Sequence, residues 1–122
     1  MGDGPTVQVF GRKDSPATRR CLRFFRERRV EISFVDLARR PPAPAELRRF
    51  SQRFGARALL DEGSRAYRDG GLGYLVMDDE EIVERLQVEP RLLRLPLVRR
   101  ASDISIGVDE RAWRSWLGSA AQ

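Results

Sequence analysis

Short apolar runs alternate with amphipathic, arginine-rich stretches along this chain. Val7 to Phe10 (VQVF) is apolar enough to predict a buried strand. Pro16 to Arg29 then takes up helical spacing, with Ala17, Cys21, Phe24, Phe25 and Arg28 on one face and arginines elsewhere. Glu31 to Leu37 (EISFVDL) alternates as a strand does, with Ile32, Phe34 and Asp36 on one side and Ser33, Val35 and Leu37 on the other. Strand, helix and strand make a compact βαβ unit, so the two strands are expected to be parallel neighbours.

The middle of the chain reads as helical. A proline-rich turn leads into a helix over Pro44 to Phe54, with Leu47, Phe50 and Phe54 on its apolar face. Pro44 suits the first turn of that helix and Gly55 its stop. ARALLDEGS is read as a further short helix and RDGGLGY as loop. MDDEEIVERLQVEP predicts a helix capped by Asp78 or Asp79, with acids in the first turn where the dipole favours them, and ended by Pro90. RLLRLPLVR and ISIG, separated by RASD, read as a hairpin. DERAWRSWL reads as a last helix, capped by Asp109, that partly buries Trp113, Trp116 and Leu117.

A chain of 122 residues is expected to be one domain. At that size roughly two-thirds of the unfolded surface can be buried, so neither disulfide nor metal is needed as a staple. One cysteine rules out an internal disulfide, which fits a reducing cytoplasm. The start, MGDGPT, has neither a basic region nor an apolar core, so no signal peptide is expected, and no apolar run is long enough for a membrane span. There is no histidine, which removes the usual general base and, with one cysteine, argues against a zinc site. The net charge of +5 comes almost wholly from arginine, since Lys13 is the only lysine. That excess reads either as compositional bias or as a surface for an acidic partner. Acidic residues are interspersed, and aromatic residues rarely alternate with the arginine doublets, so direct nucleic-acid binding is not expected.

The order β-α-β, helices, β-β, α is thioredoxin-like, and its segments resemble the arsenate reductase ArsC / Spx family. VFGRKDSPATRRCLRFFRERRVEISFVDL resembles the family's first βαβ unit, with its aromatic-Gly-x-Lys-x-Cys start. PPAPAELRRFSQRFGARALL resembles the insert helices, and DDEEIVERLQVEPRLLRLPLV the helix and strand that lead to an Arg-Pro step. ISIGVDERAWRSWL resembles the Spx-like ending. The resemblance implies an α/β fold, a thioredoxin-like mixed sheet in which core segments of about 6–37 and 91–118 flank a helical insert of about 43–89 within a single domain.

The residues that carry the family's chemistry are replaced. By resemblance the nucleophilic cysteine falls on Ser15 and the second cysteine of the Spx-type pair on Thr18. The oxyanion-holding arginines fall on Asp61, on Leu95 and, by a looser alignment, near Ile106. A serine hydroxyl is a weak nucleophile without an adjacent base and cannot cycle through a disulfide. Ser15-Pro16 reads instead as a helix cap followed by proline at the first helical position. The alternative is a remnant anion pocket made of Lys13, Ser15 and free N–H groups of Ala17, Thr18 and Arg19. Arg94 matches the first arginine of an Arg-Arg-Pro step and points either to the site or to solvent, and Pro96 is the proline that is cis in the family. Cys21 reads as a small core residue or, if exposed, a displaced redox sensor.

These readings lead to a redox-inactive binding or regulatory protein with no cofactor beyond glutathione or an oxyanion at the helix start. The resemblance to Spx implies a partner, the C-terminal domain of the RNA polymerase α-subunit. The rival is an arsenate reductase-like or glutathione-dependent oxidoreductase with a divergent site. A serine engineered at position 15 alone would not account for Asp61 and Leu95.

Overall fold

The computed structural model describes residues 5–118. The chain forms two compact units, one running to Asp36 and resuming at Leu95, the other spanning Leu37–Arg94. The chain re-enters the first unit at Leu95.

The first unit holds a four-stranded mixed sheet, β1 (Val7–Gly11), β2 (Ile32–Asp36), β3 (Leu97–Arg100) and β4 (Asp103–Ile106), in the order β2-β1-β3-β4. β1 and β2 pair in parallel, and β3 pairs antiparallel with both β1 and β4. Strand β3 begins only after Pro96, which has no N–H for a ladder. Helices α1 (Pro16–Glu27) and α5 (Glu110–Gly118) bury against the sheet through Cys21, Leu22, Phe24, Phe25 and Trp113, packed with Val7, Val9 and Val98. The rings of Phe24 and Phe25 lie 5.2 and 5.6 Å from Trp113. Trp113 is wholly buried rather than partly so, because its indole N–H finds Ser105 Oγ at 2.9 Å inside the core.

The apolar face of α1 also differs from the expected one. Thr18, Cys21, Leu22 and Phe25 follow i, i+3, i+4, i+7 and are buried, whereas Arg28 is exposed. Its guanidinium lies 3.7 Å over the Phe24 ring and donates to the Phe24 carbonyl at 3.0 Å, so the stem covers the core edge while the charge stays wet. α1 ends with Arg29 at φ 57, and Val30 N–H closes back on the Phe25 carbonyl at 3.0 Å.

The second unit contains α2 (Pro44–Phe54), α3 (Arg65–Asp69) and α4 (Asp79–Val88), with 3-10 turns at Ala56–Leu59, Leu72–Tyr74 and Pro90–Leu92. Leu47, Phe50, Leu59, Leu72, Ile82 and Leu86 form its buried interior. Pro44 opens α2 and Gly55, at φ 85, closes it. Phe54 leaves the apolar face and is 43% exposed, because it is the last helical residue before that reversal. Asp78 caps α4 in a reciprocal box with Glu81, at 2.9 and 3.0 Å. α3 has no counterpart in the sequence pattern; Ser64 caps it by accepting from Tyr67 N–H at 3.1 Å.

Candidate functional site

Most of the singled-out residues lie where β1 runs into α1. Gly11 closes the strand, and Thr18 packs directly on it: a β-carbon at Gly11 would come within 2.5 Å of Thr18 Oγ1 and Cγ2. Only glycine admits that approach. Thr18 is fully buried, and its hydroxyl accepts from Arg12 N–H at 3.4 Å, tying the helix start to the strand end.

Ser15 is the N-cap of α1. Its backbone is extended, and its Oγ accepts from Thr18 N–H at 3.1 Å. Its carbonyl accepts from Arg19 N–H at 3.0 Å, and its own N–H donates to the Arg12 carbonyl at 3.0 Å. Pro16, at the first helical position, has no N–H to offer. The expectation of three open N–H groups is therefore corrected. Those of Thr18 and Arg19 are consumed by the cap, and the Ala17 N–H is left, since no hydrogen bond among the described residues takes it. Next to Ser15, Asp14 accepts from Arg12 Nε at 3.1 Å and Nη2 at 2.8 Å. That bidentate pair occupies the nearest carboxylate, the one group besides Lys13 that could have served Ser15 as a base. Lys13 is exposed, and its carbonyl holds the Arg19 guanidinium at 2.8 Å.

Cys21 lies one turn inside α1, fully buried among Phe24, Phe25 and Trp113. Burial pushes its thiol up to about 12. The thiolate is the reactive form, so near neutral pH this sulfur is neither exposed nor nucleophilic.

Pro96 follows a cis peptide bond at Leu95, and its carbonyl accepts from Gly107 N–H at 2.8 Å. Leu95 opens the return to the sheet unit, and Ile106 ends β4 opposite Leu97. Arg94 belongs to the second unit, where its N–H donates to the Leu59 carbonyl at 2.8 Å. Its exposed side chain shares an open cavity of about 310 Å³ with Arg57, Asp61 and Glu62. Asp61 has a local role there: Oδ1 accepts from Gly63 N–H at 3.2 Å and shapes the turn before α3.

A second set of residues escapes a reading of the arginines as dispersed doublets. Arg19, Arg23 and Arg26 lie at i, i+4, i+7, so α1 winds them onto one exposed stripe, with Arg20 beside it. The helical spacing was the available signal. Arg20 and Arg114 both reach Glu110, at 2.8 and 3.2 Å. The Arg20 hydrogen bond holds the Glu110 carboxyl below its ordinary range against the opposing effect of desolvation.

A mixed sheet of order β2-β1-β3-β4, with a βαβ start and a hairpin-helix end, is a thioredoxin-like fold. The chain belongs to the ArsC family, whose model matches residues 11–116. Among solved structures it is similar to the YFFB (PA3664) protein, at 17% identity and a TM-score of 0.83 over 90% of this chain and 97% of that one. It is also similar to an arsenate reductase from Vibrio cholerae, at 18% identity and a TM-score of 0.75 over 85% and 91%. An ArsC family related protein from Bacteroides fragilis matches at 14% identity and a TM-score of 0.82 over 93% and 98%. Likenesses at these identities establish the fold. No curated protein matches the chain. Among the described residues no helix is long and apolar enough to cross a membrane.

Proposed function

We propose that this ArsC-family chain acts by binding, without the thiol chemistry of an arsenate reductase. The observation that carries the reading is the state of its one thiol: Cys21 is fully buried with its thiol pushed up to about 12, while Ser15 stands at the resembled nucleophile position. Arsenate reduction through cysteine needs a thiolate that can attack arsenic and then be released through a disulfide. Ser15 cannot form that disulfide, and its hydroxyl is engaged as a helix cap. No histidine is present to activate it, and Asp14 is held by Arg12. At the resembled oxyanion positions, Asp61 brings the wrong charge and Leu95 brings none.

By its resemblance to Spx, the partner is the C-terminal domain of the RNA polymerase α-subunit, and the function is transcriptional regulation in the cytoplasm without a redox switch. An amide-resolved NMR titration tests this. Saturable shifts with the isolated polymerase domain, and none with millimolar arsenate or glutathione, are the expected result. Saturable glutathione shifts confined to Lys13 through Arg19 and the Pro96 region would replace the reading with a glutathione-dependent enzyme. Indifference to the polymerase domain would remove that partner.

A further inference from the structure

The face of the first unit that carries α1 is strongly cationic. α1 has no carboxylate before Glu27, and its solvent side presents Arg19, Arg20, Arg23 and Arg26, all exposed. The stripe has a groove on each side. Between α1 and α5 lies an open groove of about 540 Å³ lined by five arginines and two glutamates, so three positive charges are in excess there. Between α1 and the edge strand β2 lies a second, of about 550 Å³, with an apolar floor of Leu22, Val30, Ile32 and Phe34. Its rim is Lys13, Arg19 and Arg26, with no carboxylate.

The two sides differ in how far their charges are already used. Arg20 and Arg114 are spent on Glu110, and Arg28 lies over Phe24. The guanidiniums of Arg23 and Arg26 make no hydrogen bond or ion pair among the described residues. Arg19 is held in place by the Lys13 carbonyl at 2.8 Å, so part of the cationic rim is already ordered before anything binds.

We infer that this face docks an acidic, amphipathic segment of a protein partner, whose carboxylates meet Arg19, Arg23 and Arg26 and whose apolar side chain enters the groove over Ile32 and Phe34. The inference rests on the binding reading above and gives that reading a surface and a partner chemistry. Charge complementarity calls for an anionic occupant. The apolar floor favours a polypeptide over a nucleic acid, because a phosphate backbone gains nothing from four hydrocarbon side chains. Glu27 and Glu110 on the opposite flank of the helix would also repel a continuous polyphosphate. Phe24, the aromatic ring in that flank, is buried and offers no face for stacking a base.

Fluorescence anisotropy tests the inference with a short labelled peptide of Glu and Asp carrying Leu and Phe at helical spacing. Saturable binding that weakens as salt is raised is expected. Replacing the peptide's acids by Gln, or its Leu and Phe by Ser, should each weaken it at least about tenfold, as should the double variant Arg23→Glu/Arg26→Glu. Both arginines are exposed, and an unchanged circular dichroism melt checks that the variant folds. Retained binding by the Gln or Ser peptide or by the double variant overturns the inference. So does tighter binding of a single-stranded oligonucleotide of equal length, which would make the face a nucleic-acid surface. Arsenate turnover by the same preparation would sink the reading above and leave this surface standing.

Discussion

Replacing Ser15 separates its structural role from a chemical one. In the folded chain Ser15 Oγ satisfies one donor, Thr18 N–H at 3.1 Å. Arg19 N–H is taken by the Ser15 carbonyl, which any substitution keeps, and Pro16 has no donor. Ser15→Ala therefore strips one hydrogen bond and orphans the N–H of a fully buried residue. The expected cost is about 1–2 kcal/mol. With a urea slope of about 1.5 kcal/mol/M, the unfolding midpoint falls by roughly 1 M. Ser15→Asp keeps an acceptor in place and adds a charge that the helix dipole favours by about 0.3–1 kcal/mol. Asp14 next to it opposes part of that gain, so this variant should unfold within roughly 0.3 M of the parent. Equilibrium urea titration followed by circular dichroism reads both. A parent-like Ser15→Ala together with a strongly destabilised Ser15→Asp would refute the capping account.

Three further outcomes follow from particular contacts. Gly11→Ala should cost about 1–3 kcal/mol by urea titration, since its β-carbon would lie 2.5 Å from Thr18, and adding Thr18→Ala should recover part of the loss non-additively. Cys21 should resist a disulfide-exchange reagent in the native state and react once the chain is unfolded. Because its folded thiol is raised from 9.0 to about 12, its contribution to stability is complete below pH 9 and is lost as pH rises from 9 towards 12. Subtracting the pH–stability curve of Cys21→Ala should isolate that slope. Arg29→Gly should stabilise the chain by roughly 1 kcal/mol in thermal or urea melts, because Arg29 sits at φ 57 where glycine carries no penalty.

The punctuation of the chain was its most legible feature. Pro44 and Gly55 bracket α2, and of the two caps the sequence offers for α4, Asp78 or Asp79, it is Asp78 that caps it, since cap chemistry is local. The βαβ start and the terminal hairpin could be read from period-two runs and a short connection. α3 escaped because five residues are too few for helical periodicity to show. Phe54 looked internal because periodicity does not register that a helix is about to end. At the site, the Ser15-Pro16 cap was readable from residue types alone. The loss of the Arg19 N–H was not, because it depends on the local turn of the chain that sets the Ser15 carbonyl beneath Arg19. The role of Asp61 was hidden for the same reason: its bond to Gly63 belongs to a turn. Counted along the chain the arginines looked scattered; wound at about 100° per residue, those of α1 converge.

The most direct test of the account measures arsenite formed from arsenate by the purified chain, with glutathione or a dithiol as reductant, beside Ser15→Ala and Cys21→Ala. With one buried thiol and Ser15 spent as a cap, all three proteins should give the arsenite of the buffer blank. Arsenite above the blank that disappears in Ser15→Ala or Cys21→Ala would contradict it and make the chain a reductase.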